Sequence, residues 1–312
     1  MYGSQGPSAP RAAAPRKMTV PEVISLKGQR LLVMLTAYDA SSARIVDEAG
    51  VDMILVGDSL GMVVLGHDDT LRVDLEDMVR HTAAVTRTQP RALVVADMPY
   101  LTYHTGPRDA VRAAGRLVRE GGAEAVKLEG GRKRVEVVRA MVDAEIPVVG
   151  HLGLTPQSLN AMGGYRVQGR ALSQVETLLA DAAALEDAGV FVIVLEGVPA
   201  DVAKLLTAEV GVPTIGIGAG SGCDGQVLVY HDLLGLFDGP VPKFVKQYAS
   251  LKGQAVEAVA SFAADVREGR FPTKRESYRL PREVADALHR RHRDHGTKDL
   301  AQGLSEGAGE EG

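Results

Sequence analysis

Met53-Ile54-Leu55-Val56-Gly57-Asp58-Ser59 opens the decisive stretch, which continues as Leu60-Gly61-Met62. An apolar run bounded by glycine reads as a buried strand. A carboxylate and a hydroxyl then stand together where that strand stops. In a barrel of parallel strands, the C-terminal strand ends carry the chemistry. The rest of the chain repeats this plan. A short apolar strand delivers a polar residue at its end, and a helix returns the chain to the start of the next strand.

Before this stretch, Leu31–Leu35 reads as a strand ending in Thr36-Ala37-Tyr38-Asp39, and Ser41–Ala49 as a short helix stopped by Gly50. After it, Asp74 with Asp77 at the third position caps a helix to about Thr88. Ala92–Ala96 is the third strand and ends in Asp97. The fourth, Ala125–Leu128, presents Lys127 and Glu129; the fifth, Pro147–Val149, ends in Gly150-His151. Phe191–Leu195 ends in Glu196, Pro213–Ile217 in Gly218-Ala219-Gly220, and Val227–Tyr230 in His231-Asp232. Helices fill Pro107–Glu120, Arg132–Ala144 and Pro199–Glu209, and Ser173 with Glu176 forms a capping box for a further helix to Ala188. Strands that alternate with helices are parallel, because parallel strands need crossovers, and eight of them close a (β/α)8 TIM barrel. A doubly wound sheet is the competitor, but no early strand is followed by G-x-G-x-x-G.

The remaining chain frames this barrel. Residues 1–17, rich in Gly, Ser, Ala, Pro and Arg, read as a disordered arm, with a transit peptide as the weaker reading. The folded part spans 18–295 as one catalytic domain, and residues 296–312 form a disordered acidic tail. Pro242–Glu268 and Arg282–His295 read as extra C-terminal helices that cover the barrel bottom or join subunits. The net charge of −5 argues against a nucleic-acid partner, and no apolar run reaches membrane length. The single cysteine, Cys223, excludes an intrachain disulfide framework and fits a reducing compartment. Long segments follow the second strand (Leu60–Val73) and the fifth (Leu152–Leu172), the usual place for lids.

The polar residues at strand ends are Asp58, Ser59, Asp97, Lys127, Glu129, His151 and Glu196. Lys127 and Glu129 are two apart on one strand and point to one side. Any one acid alone would pair with a helix dipole or an arginine. Four acids at successive strand ends, with a lysine, argue for one site. Converging carboxylates raise each other's pKa unless a cation neutralises them, and an all-oxygen set suits Mg²⁺. No cysteine or histidine cluster suggests zinc. Such a site fits a 2-oxo acid, chelated through its carboxylate and keto oxygens, with Lys127 beside the developing enolate. Glu196 is the acid outside the metal group, and its neighbours Val194 and Leu195 favour a raised pKa suited to a base.

VGDSLGM, GHDDTL, ADMPY, VKLEGG, VVGHLGLTPQS, GGYRVQGR, VLEGVP and IGIGAG occur in this order, from about Val20 to Tyr248. They resemble the motifs of the ketopantoate hydroxymethyltransferase family. The resemblance implies a barrel of the phosphoenolpyruvate/pyruvate type with one Mg²⁺ per subunit. It implies hydroxymethyl transfer from 5,10-methylenetetrahydrofolate to 3-methyl-2-oxobutanoate, giving 2-dehydropantoate on the way to pantothenate and coenzyme A. It also implies a cytoplasmic homo-oligomer, a decamer. By this resemblance Asp58, Asp97 and Glu129 hold the metal, Asp58, Ser59, Asp97 and Lys127 bind substrate, and Glu196 accepts the proton.

Two other enzyme readings share these residues. Lys127 as a Schiff-base nucleophile would make an aldolase without a metal. A Mg²⁺-dependent C–C lyase would keep the enolate chemistry, but the K-K-C-G-H type loop of such lyases is absent. A non-catalytic scaffold predicts lost strand-end carboxylates, and all are present. The GIGAG run at Gly216–Gly220 reads equally as a phosphate loop or a tight turn. His151 suits a substrate contact or a structural hydrogen bond and stays outside the catalytic set. Tyr38 and Asp39 either line the mouth or make a turn, His67 and Asp68 would help close the site, and Cys223 reads as an incidental thiol.

Overall fold

A computed structural model describes residues 16–237, 239 and 241–293. After α1 (Val20–Ser25), β1 (Leu32–Thr36) leads to α2 (Ala40–Glu48), and β2 (Met53–Val56) to α3 (Leu60–Val63) and α4 (Leu75–Thr86). β3 (Leu93–Asp97) is followed by α5 (Pro107–Arg119), and β4 (Ala125–Glu129) by α6 (Val135–Asp143). β5 (Val148–Gly153) precedes α7 (Leu159–Met162) and α8 (Leu172–Asp187), and β6 (Val192–Glu196) precedes α9 (Ala200–Glu209). β7 (Thr214–Ile217) and β8 (Gly225–Leu228) complete a closed parallel barrel in chain order, with β8 bonded back to β1. α10 (Tyr230–Leu234) follows β8. The expected (β/α)8 barrel is therefore present.

The two-residue period of a strand sorts its side chains. Leu32, Met34, Met53, Leu55, Leu93, Val95, Ala125, Val149, Val192, Val194, Ile215 and Val227 form the inner core. The same parity continues upward to Asp97, Lys127, Glu129, His151 and Glu196. Inward positions are thus apolar through the barrel and polar in its uppermost layer. The other parity packs against the helices in a second, larger core that includes Ile54, Val94, Val126, Val148 and Ile193.

Several boundaries differ from the sequence-based expectation. β1, β3, β4 and β6 each extend one residue further, to Thr36, Asp97, Glu129 and Glu196. Their terminal residues stay in register with the neighbouring strand, as Asp97 does opposite Lys127 and Glu129 opposite His151. β5 runs on to Gly153, so His151 lies within it. β8 is two residues earlier than expected, because Tyr230 starts α10 and its N–H donates to Thr36 Oγ1 (2.9 Å). The Ser173–Glu176 capping box does not form. α8 starts at Leu172, and Gln174 Oε1 accepts from the Arg170 and Ala171 N–H groups instead.

The N-terminal end of the barrel is closed by a helix not anticipated from the pattern. Val23 of α1 is fully buried in the inner core, with Met18, Val20 and Leu26 packed beside it. Lys17, assigned above to the disordered arm, is anchored by donating to Pro90 O, Ala92 O and Glu124. Residues 1–15 and the tail 296–312 lie outside the described residues, as does His295.

At the same end, Asp52 accepts two bonds from Arg30 (2.6 and 2.9 Å) and one from the Val33 N–H. Burial favours the neutral carboxyl, but Arg30 and Val33 outweigh it and hold Asp52 below its ordinary value. Asp52→Asn is expected to cost about 2 kcal/mol, seen as a melting point lower by about 5 °C. Because the folded-state pKa is depressed, this contribution is present at neutral pH. It disappears in wild type as the pH falls below about 4, where the two proteins' melting points converge.

The chain divides into two units, Met1–Leu251 and Lys252–Gly312. The second carries α11 (Leu251–Arg267), shorter than the expected Pro242–Glu268, and α12 (Arg282–Arg293), whose expected end at His295 lies outside the described residues. Within it, the Phe262 and Phe271 rings meet edge-on at 5.4 Å and Arg270 pairs with Asp265. Among the described residues, no helix is long and apolar enough to cross a membrane.

Candidate active site

The strand ends of β2 to β6 bring the expected residues together. Asp58, Asp97, Lys127, Glu129 and His151 are all buried, and Glu196 is the most accessible of the group. Lys127 Nζ lies 2.7 Å from Asp97 Oδ1. The other Asp97 oxygen accepts the Asp58 N–H (3.0 Å). Gly57 permits this approach: a Cβ there would stand 2.9 Å from Ser59 Oγ and 3.4 Å from Asp97 Oδ2. Gly153 serves the far side, where φ is +95° and a Cβ would fall 2.2 Å from Glu196 O. That glycine lets β5 and β6 close together beneath Glu196.

His151 joins the two halves of the site. Its Nε2 is 3.3 Å from Glu196 Oε2, and its Nδ1 is 3.5 Å from Glu129 Oε1 and 3.4 Å from Lys127 Nζ. A histidine left outside the catalytic set therefore touches both the candidate base and the carboxylate group. Its signal was present in the pattern: Val149 and His151 share inward parity once β5 is extended.

Nothing in the sequence pattern marks Gln157. Its amide donates to Asp58 Oδ2 (2.7 Å) and Met98 O (2.9 Å), and its backbone N–H donates to Glu129 Oε2 (2.9 Å). Tyr103 Oη donates to Gln157 Oε1 (2.5 Å) and accepts the Glu129 N–H (3.2 Å). One residue, through its side-chain amide and its backbone N–H, thus orients two acids that are far apart in sequence. Tyr38 Oη meets Ser59 Oγ (2.9 Å), which supports the expected position of that hydroxyl. Asp39 caps α2 through the Ser42 N–H (2.7 Å) rather than lining the mouth. His67 is held by its backbone N–H on Gly61 O (2.8 Å), and no bond joins His67 or Asp68 to the cluster.

Electrostatics follow from burial and neighbours. Burial first, then Asp97 and Glu129, push the Asp58 carboxyl well above its ordinary value. Burial works against the Lys127 ammonium, but Asp97, Glu129 and Asp58 outweigh it and hold the lysine above its usual range. Burial and Lys127 oppose protonated His151, yet the Glu129 and Glu196 carboxylates beside it bring it up to about 9. A lysine held as ammonium is a poor nucleophile, which counts against Schiff-base chemistry.

Three buried carboxylates outnumber the cations around them, a condition that a hard divalent ion relieves. Among the described residues no three acid, His or Cys side chains are preformed at metal-binding spacing. The set still fits Mg²⁺, which takes one or two carboxylates and completes its shell with water and substrate oxygens.

Around the mouth, the segment after β5 reaches across to the segment after β2, where Tyr165 Oη lies 3.9 Å from Met62 Sδ. The GIGAG loop is packed closely by neighbouring side chains. A Cβ on Gly218 would meet Phe244 at 2.7 Å, and one on Gly220 would meet Ala200 at 2.4 Å. This favours the tight turn. Cys223 is buried, and burial raises its thiol above the ordinary value, consistent with an unreactive role.

A family profile described as ketopantoate hydroxymethyltransferase matches residues 17–274. The 3-methyl-2-oxobutanoate hydroxymethyltransferase of Moorella thermoacetica is 58% identical over 265 residues, which cover 84% of this chain and 98% of that protein. Its counterpart in Oleidesulfovibrio alaskensis is 55% identical over 269 residues, covering 86% and 93%. Among solved structures, 2,3-dimethylmalate lyase, a PEP mutase/isocitrate lyase superfamily member, superposes with a TM-score of 0.55 at 20% identity, covering 83% of this chain and 87% of that one. Oxaloacetate acetylhydrolase gives 0.54 at 17% identity, covering 91% and 99%. These structural likenesses establish the barrel type.

Proposed function

This chain belongs to the ketopantoate hydroxymethyltransferase family, and from that premise we propose that it transfers a hydroxymethyl group from 5,10-methylenetetrahydrofolate to 3-methyl-2-oxobutanoate. The observation that carries the reading is the buried Lys127 ammonium among Asp97, Glu129 and Asp58, with the accessible Glu196 across His151. Positive charge is therefore preorganised where an enolate oxygen develops, and a base stands on the opposite side.

Asp58, Asp97 and Glu129 are the residues that would hold Mg²⁺. When bound, the ion supplies positive charge to the oxo-acid oxygens and so acidifies C3. Ser59 and Lys127 orient the oxo acid, with Tyr38 steadying the Ser59 hydroxyl. Glu196 removes the C3 proton. The new carbon–carbon bond forms between C3 and the folate one-carbon unit, and water supplies the hydroxyl. The C3 proton and one water proton end on the two folate nitrogens, so the exchange balances as 2-dehydropantoate and tetrahydrofolate. The family reading also carries a homodecameric assembly and a cytoplasmic location.

The test is deuterium uptake at C3 of 3-methyl-2-oxobutanoate in D₂O, followed by NMR. Uptake with Mg²⁺ that EDTA abolishes, and 2-dehydropantoate once methylenetetrahydrofolate is added, would support the reading. Uptake unaffected by EDTA would overturn the metal assignment.

Gln157 supplies a separate check on how the acids are positioned. Gln157→Leu keeps the volume but removes the bonds to Asp58 and Tyr103. It is expected to weaken Mg²⁺ binding about 10- to 100-fold, read by titration calorimetry. Unchanged Mg²⁺ affinity would show that the amide orients nothing the ion needs.

A further inference from the structure

Between α7 and α8, residues 163–169 cross the barrel mouth from the β5 side to the β2 side, where the Tyr165 hydroxyl meets the Met62 thioether. Burial first, then the negative charges of Asp69, Glu196, Asp58 and Glu129, push the Tyr165 phenol above its ordinary value. The ring thus stands near the candidate base and two acids of the metal group at once. It is not sealed in, since Tyr165 remains 52% exposed.

This strap is fixed at both ends and loose between them. At one end the Gly164 N–H donates to Leu159 O (3.1 Å). At the other the Gln168 N–H donates to the carbonyl of Gly197 (2.9 Å), the residue after Glu196. Gly169 is seated beside it, where a Cβ would meet Leu178 of α8 at 3.0 Å and Val202 of α9 at 3.7 Å. Among the described residues, no backbone–backbone hydrogen bond involves Tyr165, Arg166 or Val167, and all three are exposed. A segment with so few bonds opens at low free energy. Gly163 and Gly164 supply the hinge, at φ +68° and +115°. A Cβ on either would meet nothing within 4 Å, so backbone rotation rather than room requires glycine there. The phenol-to-thioether contact that closes the strap is a weak one.

We propose that Tyr165 is a movable roof: its strap swings out on Gly163 and Gly164 to admit 3-methyl-2-oxobutanoate and, swung in, separates Glu196 and the C3 enolate from bulk water. The role rests on the transferase reading above, whose chemistry needs such a shield. Once Glu196 holds the C3 proton, the enolate has two fates. Its C3 attacks the one-carbon unit, or Glu196 returns a proton to C3 and the cycle is lost. In D₂O the proton on an open Glu196 is replaced by a deuteron from solvent, so a lost cycle marks C3 with deuterium. A closed roof slows that replacement and leaves the enolate to react forward. Because Gln168 is bonded to the residue beside Glu196, opening of the strap and exposure of the base are linked.

The experiment counts the deuterons gained by recovered 3-methyl-2-oxobutanoate per 2-dehydropantoate formed, in D₂O with Mg²⁺ and methylenetetrahydrofolate. Tyr165→Ala removes the roof and is expected to raise this ratio about tenfold. Its melting point should match wild type, because Tyr165 is half exposed. Tyr165→Phe keeps a ring over the site and against Met62, and is expected to bring the ratio back to within about twofold of wild type. A second readout follows the strap without turnover. Trypsin cutting after Arg166, located by mass spectrometry, is expected to slow about fivefold once Mg²⁺ and 3-methyl-2-oxobutanoate are bound. A wild-type ratio in Tyr165→Ala overturns the roof and leaves the transferase reading in place. Cleavage after Arg166 at one rate with and without the oxo acid overturns the strap's movement. Wild type that forms no 2-dehydropantoate overturns the transferase reading and the roof's part in it together.

Discussion

Glu196→Gln is expected to slow C3 proton exchange on 3-methyl-2-oxobutanoate about 10³-fold. The amide has the size of the carboxylate but no basic oxygen, so the proton has nowhere to go. Glu196 is the most accessible acid of the cluster, and its carboxylate lies 3.3 Å from His151 Nε2. The substitution should therefore leave the melting point and the affinity for Mg²⁺ nearly unchanged. His151 supplies an independent readout. One of the two carboxylates that raise it to about 9 is lost, so its ring pKa should fall. Histidine C–H resonances followed by NMR titration would show this. Exchange at the wild-type rate in the glutamine variant would remove Glu196 from the role of base.

Lys127→Met is expected to combine a catalytic and a structural loss. Removing the preorganised cation should slow exchange about 10²- to 10³-fold. It also leaves Asp97 without its partner at 2.7 Å in a site where both side chains are buried. Truncating one member of a buried pair costs about 3–5 kcal/mol. The variant should melt lower at neutral pH, and the gap should narrow in acid as the carboxyls protonate. Mg²⁺ should restore part of the stability by replacing the missing positive charge. Lys127→Arg should not restore the rate, because a planar fork cannot occupy the place of a compact ammonium. Borohydride with 3-methyl-2-oxobutanoate should trap no adduct on wild type. A trapped adduct at Lys127 would revive the Schiff-base alternative.

The barrel was legible because its strands are short apolar runs closed by glycine or a charge, and because crossovers force parallel order. Strand ends were less legible. Thr36, Asp97, Glu129 and Glu196 are polar, and an apolar run stops before them; only pairing across the barrel extends the strands to include them. β8 was displaced by two residues for a related reason. Gly225 starts it where a Cβ would stand 2.5 Å from Leu32 O, a contact that exists only after closure. α1 has no legible signal, because six residues are too few to show a period, although Val23 seals the inner core.

The acids and the lysine were already readable as a group in the chain, since side-chain alternation is local and the last inward position of a strand needs no knowledge of the fold. Their partners were not. Gln157 lies 99 residues from Asp58, and Tyr103 lies 54 from Gln157. His151 was visible as a strand-end residue, but its place between Lys127, Glu129 and Glu196 depends on the pairing of β4, β5 and β6. A hydrogen bond between such residues has value only where water has been excluded and both groups are held in place. Those conditions arise when the barrel closes, so the chain alone specified which groups reach the mouth and the tertiary structure decided which of them touch.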